Sequence, residues 1–115
     1  MIETVVLDYL NRALASPCYM EMPEDPSGSF VIIEKTGSSV TNRITKANFA
    51  IQSYADSLYD AAALNEQVKE AMESMVELDT ISKVELNSDY NYTDMALKAY
   101  RYQAVFTITF YEEET

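Results

Sequence analysis

The stretch "AYRYQAVFTITFY", Ala99–Tyr111, places an aromatic or aliphatic side chain at every second position until it nears the end of the chain. A period of two is that of a β-strand with one apolar face. Tyr100, Tyr102, Ala104, Phe106, Ile108 and Phe110 share that face, and Arg101, Gln103, Val105, Thr107, Thr109 and Tyr111 share the other. The apolar row is expected to pack beneath helices. The second row is mixed rather than charged, as expected of a sheet surface that meets a neighbouring subunit.

The rest of the chain has to supply that layer of helices and the neighbouring strands. From Ile2 to Ala15, apolar residues at Ile2, Val5, Val6, Tyr9, Leu10, Ala13 and Leu14 follow the spacing of a one-faced helix, with Thr4, Asp8, Asn11 and Arg12 toward water. Pro17 ends it by disfavouring helical geometry at Ser16. "CYMEM", Cys18–Met22, alternates as a short strand, and "PEDPSG", Pro23–Gly28, is a turn signal. "SFVIIEK", Ser29–Lys35, is apolar on both faces, which predicts a central strand. "TGSSVTNRITK", Thr36–Lys46, reads as a long hairpin connection with short strand extensions. "ANFAIQSYA", Ala47–Ala55, is a strand with Ala47, Phe49 and Ile51 on one face and Asn48, Ala50, Gln52 and Tyr54 on the other.

A second helix is predicted from Ser57, whose hydroxyl and Asp60 resemble a capping box, with Asp56 as a competing cap. Leu58, Ala61, Ala62, Val68, Ala71, Met72 and Met75 trace its apolar face as far as Val76, and Glu66, Lys69, Glu70 and Glu73 its wet side. A strand from Ile81 to Leu86, extending toward Tyr90 and Tyr92, a turn at "DMALK" and the opening stretch complete the order, with "EEET", Glu112–Thr115, as a solvated tail. Two helices and antiparallel strands with short connections predict an α+β two-layer sandwich, with a mainly antiparallel twisted sheet and both helices on one face. Residues 1–115 make one domain, long enough to bury roughly two thirds of the surface that the unfolded chain exposes.

Composition narrows the function. Nineteen acids against 8 bases give a formal charge of −11, which repels a phosphate backbone and disfavours groove binding to nucleic acid. The N-terminal stretch carries no basic targeting region, and no apolar run approaches the roughly 20 residues of a bilayer-spanning helix, so no membrane role is expected. Cys18 is the one cysteine, which excludes an internal disulfide.

The chain has no histidine, so the commonest general base is missing, together with the Ser-His-Asp and Cys-His constellations. Gly28 and Gly37 are too far apart for a phosphate-binding loop. A magnesium-dependent nuclease would need acids converging beside a lysine; Glu34 and Lys35, with Glu21 or Asp25, offer the residue types without the spacing. "NSDYNYTD", Asn87–Asp94, lacks the turn glycine and terminal glutamate of a calcium loop. No enzyme, metal site or cofactor is expected.

Two features remain. Tyrosine accounts for nine residues, grouped late in the chain at Tyr90, Tyr92, Tyr100, Tyr102 and Tyr111; it suits both a covered sheet and a subunit contact. Lys35, Arg43 and Lys46 lie in or beside the hairpin connection, whereas Asp56–Asp94 carries ten acids against Lys69 and Lys83. A basic loop and an acidic face on one molecule suit head-to-tail association.

The phrases "VVLDYLNRAL", "FVIIEKTG" running into a polar hairpin, "FAIQSYADSLYDAAALNEQV" and "YRYQAVFTITF", in this order over nearly the whole chain, resemble the tail-terminator or tail-completion proteins that join tail to head in long-tailed bacteriophages and prophages. The resemblance implies a structural protein with no active site. It implies a ring, usually a hexamer, that sits on the head-proximal end of the tail tube, halts its polymerisation and meets the head connector or head-completion protein, with DNA passing through unbound. It places the protein in the bacterial host cytoplasm during assembly and at the head–tail junction of the virion. Contacts between subunits or with the tube protein are expected at Lys35, Gly37, Arg43, Lys46, Arg101, Gln103 and Tyr111. The alternatives are a head-closure or other connector-associated protein and, remotely, a carboxylate-based nuclease.

Overall fold

A computed structural model describes residues 1–111. The elements are α1 (Ile2–Ala13), β1 (Cys18–Tyr19), β2 (Phe30–Thr41), β3 (Ile44–Ala55), α2 (Leu58–Ser74) with a 3-10 turn at Met75–Glu77, β4 (Ile81–Asn91) and β5 (Tyr100–Tyr111). They form an α+β sandwich in which the sheet has the order β1-β2-β3-β5-β4. The long strands are all antiparallel, and β1 pairs with β2 in parallel.

Strand alternation decides where the core lies. Val31 and Ile33 of β2, Phe49 and Ile51 of β3, and Ala104, Phe106 and Ile108 of β5 join Val6 and Leu10 of α1 and Leu64, Val68 and Met72 of α2 in one buried cluster. Both helices therefore cover the same face. Phe106 stands opposite Phe49 in the ladder, and both rings are fully enclosed.

The long connection expected at Thr36–Lys46 is instead continuous strand. Pairing runs to Thr41↔Ile44, leaving only Asn42 and Arg43 as the turn, both with positive φ (52° and 68°). That is the pattern of a two-residue type I′ hairpin, whose twist matches the strands that it joins. The Asn-Arg pair hid it, because the usual second residue is glycine. Thr36 is an extra residue where the register shifts between Lys35 and Gly37, a bulge that takes the place of a loop.

Three other expectations are corrected. The strand expected over Cys18–Met22 is limited to Cys18–Tyr19, and its outer edge is closed from α1 by Asn11, whose side-chain amide donates to the Cys18 carbonyl (3.2 Å) and accepts from the Cys18 N–H (2.9 Å). Asn11, exposed as expected, thus also takes the place of a neighbouring strand. The expected central strand is covered on one side by only this two-residue β1, and its distal half is an edge. Leu58 lies at the exposed start of α2, whereas Leu64 and Asn65 fill the buried face. The cap is Ser57, whose Oγ accepts from the Asp60 N–H at 3.1 Å. The "EEET" segment lies outside the described residues.

Phe106→Ala is expected to lower unfolding free energy by about 3–5 kcal/mol in urea titration, because the close-packed interior cannot fill the void. A loss below about 1 kcal/mol would contradict the assignment of this row to the core.

Candidate functional site

The second face of the sheet has no helix over it, yet it is well packed. Phe30 and Ile32 of β2, Ala50 and Tyr54 of β3, and Gln103 of β5 are all buried there. The side chains cover one another. Phe30 and Tyr54, directly opposite in the ladder, stack with ring centroids 4.7 Å apart and planes 7° from parallel. Tyr19 meets Phe30 edge-on at 6.4 Å, and at the other margin Tyr90 and Tyr92 form a second edge-on pair.

Arg101 joins these aromatic groups. Its guanidinium lies 4.4 Å from the Tyr92 ring centre and 5.6 Å from that of Tyr54. Its Nη1 donates to the Tyr54 hydroxyl at 2.8 Å, and its Nε donates to the Tyr92 carbonyl at 2.7 Å. One cation thus satisfies hydrogen bonds and stacks on one ring from β3 and one from the segment just after β4, a role to which a planar guanidinium is suited.

Gln103, one register step away, is satisfied at both ends of its amide. Its Oε1 accepts from Gln52 Nε2 at 2.8 Å and its Nε2 donates to the Tyr90 hydroxyl, linking β3, β5 and β4. Further along, Asn87 donates to Thr107 Oγ1, which donates to Asn48 Oδ1, each at 2.8 Å. The face is a hydrogen-bonded polar and aromatic surface with Tyr19, Tyr90 and Tyr92 partly open to solvent. Such a surface can bind a partner without prior rearrangement.

The expected contact residues fall into separate groups. Arg101 and Gln103 occupy the array just described. Lys46 and Tyr111 lie on the same face at its opposite end, where Lys46 is paired with Thr109 and Tyr111 with Ile44. Arg101 and Thr109 are eight residues apart on one strand, about 26 Å, so these groups form no single site. Arg43 is at the hairpin turn, and Gly37 follows the bulge. Lys35 points to the helical side, where its Nζ pairs with Glu3 of α1 at 3.1 Å, and it does not belong with the other two cations. Tyr90 and Tyr92 belong to the tyrosine group noted in the sequence, whereas Tyr19, Phe30, Gln52 and Tyr54 were absent from the expected set. Their signal was present as the second apolar row of β2 and the polar row of β3, but the sequence does not say which rows become neighbours.

The acids considered for metal chemistry are dispersed. Glu34 and Lys35 point to opposite faces of β2. Asp89 accepts from Asn65 and Lys69 of α2 (3.3 and 3.4 Å), and Asp94 accepts from the N–H groups of Ala96 and Leu97. Among the described residues, no group of three or more His, Cys, Asp or Glu side chains is placed to hold a metal ion. Likewise, no helix among them is long and apolar enough to cross a membrane. No protein-family model matches the sequence, and no curated protein matches it.

Two consequences are measurable. Arg101→Ala is expected to cost about 1–3 kcal/mol, since it removes two hydrogen bonds and two ring contacts, with Arg101→Lys recovering only part; unchanged stability in Arg101→Ala would contradict the account of this network. Burial pushes the Cys18 thiol from its ordinary 9.0 up to about 11. The folded chain then retains a proton that the unfolded chain releases, so this contribution is intact below the unfolded value and is lost as pH rises through the folded one. The stability difference between the wild type and Cys18→Ala should therefore shrink between about pH 8 and about pH 10.5 in urea titrations, and a constant difference would contradict burial of the thiol.

Proposed function

We propose that the protein is a structural component of the head–tail joint of a long-tailed bacteriophage or prophage. Copies form a ring, a hexamer on the resemblance, on the head-proximal end of the tail tube. The ring stops tube polymerisation and gives the head connector its docking surface. The open face of the sheet is the surface turned toward the tube.

The observation that carries this reading is that open face. A sheet surface with no helical cover, stabilised by Arg101, Gln103, Tyr54 and Phe30 and edged by exposed tyrosines, is suited to a protein contact. The order of elements agrees with the phrases on which the resemblance rests. The formal charge of −11 fits a ring through which DNA passes without adhering.

The test is tube assembly. Purified protein added to polymerising tube protein should shorten the tubes and appear in negative stain as a ring at one end. Tubes of unchanged length with bare ends would overturn the proposal, and binding to the head vertex in the absence of tails would assign the protein to the head side of the joint instead.

A further inference from the structure

On the helical layer, away from the open face of the sheet, α1 and α2 leave a groove of about 470 Å³ between them. That volume lies within the range of about 300–1,000 Å³ usual for ligand pockets. Buried Tyr9, Leu14 and Ala71 form its floor, and exposed Ala13, Gln67 and Glu70 stand at its rim.

The groove is negative as well as apolar. Ala13 is the last residue of α1, so the negative end of that helix dipole borders it. Glu70 lines the opposite wall, and the Tyr9 hydroxyl donates to Glu77 Oε1 at 3.1 Å, which sets a second carboxylate beside the floor. The last turn of α2 adds Glu73 and contains no base, an arrangement that opposes its own dipole. Lys69, the one cation of α2, is engaged by Glu66 and Asp89 at 2.8 and 3.4 Å. Among the described residues, none of Glu70, Glu73 and Glu77 has an ion-pair partner. Arg12, the one base of α1, lies over the Tyr9 ring at 5.9 Å and is a single cation against these three acids.

We propose that this groove receives arginine or lysine side chains from a basic segment of a partner protein. The aliphatic stem of such a side chain lies along Ala13, Leu14 and Ala71, and its charged head meets Glu70, Glu77 and the end of α1. A basic occupant supplies the positive charge that the end of α2 lacks. An acidic segment would be repelled, and a purely apolar one would leave the same acids unpaired. This contact uses the helical layer alone and does not rest on the function proposed above.

The experiment is a nuclear magnetic resonance titration of the full chain at physiological salt. The probe is a capped peptide that repeats leucine, arginine and alanine, and its control carries citrulline, a neutral analogue, in place of arginine. The arginine peptide should bind saturably and shift the amide signals of Ala13, Gln67, Glu70 and Ala71, whereas the citrulline peptide should not. Glu70→Lys, at an exposed position, should weaken binding by at least about tenfold. Ala13→Leu should weaken it as well, because it fills the groove without changing the charge. Glu34→Lys alters net charge by the same amount on the other face of the sheet, and screening should hold its effect below about twofold. The amide spectrum of each variant also shows that it is folded.

Absence of saturable binding, equal binding of the citrulline peptide, or shifts confined to other parts of the molecule would overturn the inference. Equal weakening by Glu34→Lys and Glu70→Lys would reduce the effect to general attraction by an acidic protein and overturn it too. Spermidine that binds the groove more tightly than the peptide would make it a polyamine site instead of a protein contact.

Discussion

The β3–β5 ladder is the constraint on which everything else depends. It pairs every residue from Ile44↔Tyr111 to Ala55↔Tyr100 with no break in register. Because side chains alternate along each strand, this register sends Phe49, Ile51, Ala104 and Phe106 to the helices and Gln52, Tyr54, Arg101 and Gln103 to the open side. A slip of one residue would exchange the two sets, burying an arginine and two glutamines under the helices and exposing the largest rings. The hydrophobic cost of that exchange fixes the register, and the register in turn creates the open face.

The flanking strands are irregular where the central pair is regular. Register shifts occur between Lys35 and Gly37 on β2 and between Ile81 and Lys83 and Leu86 and Ser88 on β4. Bulges bend a strand and increase its twist, and they blunt an edge against unplanned pairing. The shift near Leu86 also returns Asp89 to the helical side, where it meets Asn65 and Lys69. Hydrogen bonding to Glu66, ahead of that to Asp89, raises the Lys69 pKa. The polar anchor of α2 on β4 thus depends on an irregularity in the strand beneath it.

The two-layer fold was legible because its signals are local. The apolar periodicity of Ile2–Leu14, the cap at Ser57 and the alternation of Ala99–Tyr111 each point to one element type without reference to the others. The hairpin and the length of the first strand were not legible for the same reason. Asn42-Arg43 lacks the glycine that marks a tight turn, and the outer edge of the strand at Cys18 is closed by an amide from a helix. The open face was half legible: Arg101, Gln103 and Tyr111 fall on the correct row, but the partners that enclose Arg101 come from residues 54 and 92, and only the ladder brings them together. Lys35 was grouped with Arg43 and Lys46 by proximity in sequence, although alternation directs it to Glu3 on the other side.

The central claim is that the sheet has one face for the core and one for a partner. Hydroxyl-radical footprinting of the protein alone and on tail tubes tests it directly. Tyr90, Tyr92 and Tyr19 should oxidise more slowly on the tubes, whereas Val76 on the helical layer should react at its original rate. Unchanged oxidation of these three tyrosines on tubes that the protein has capped would contradict the claim.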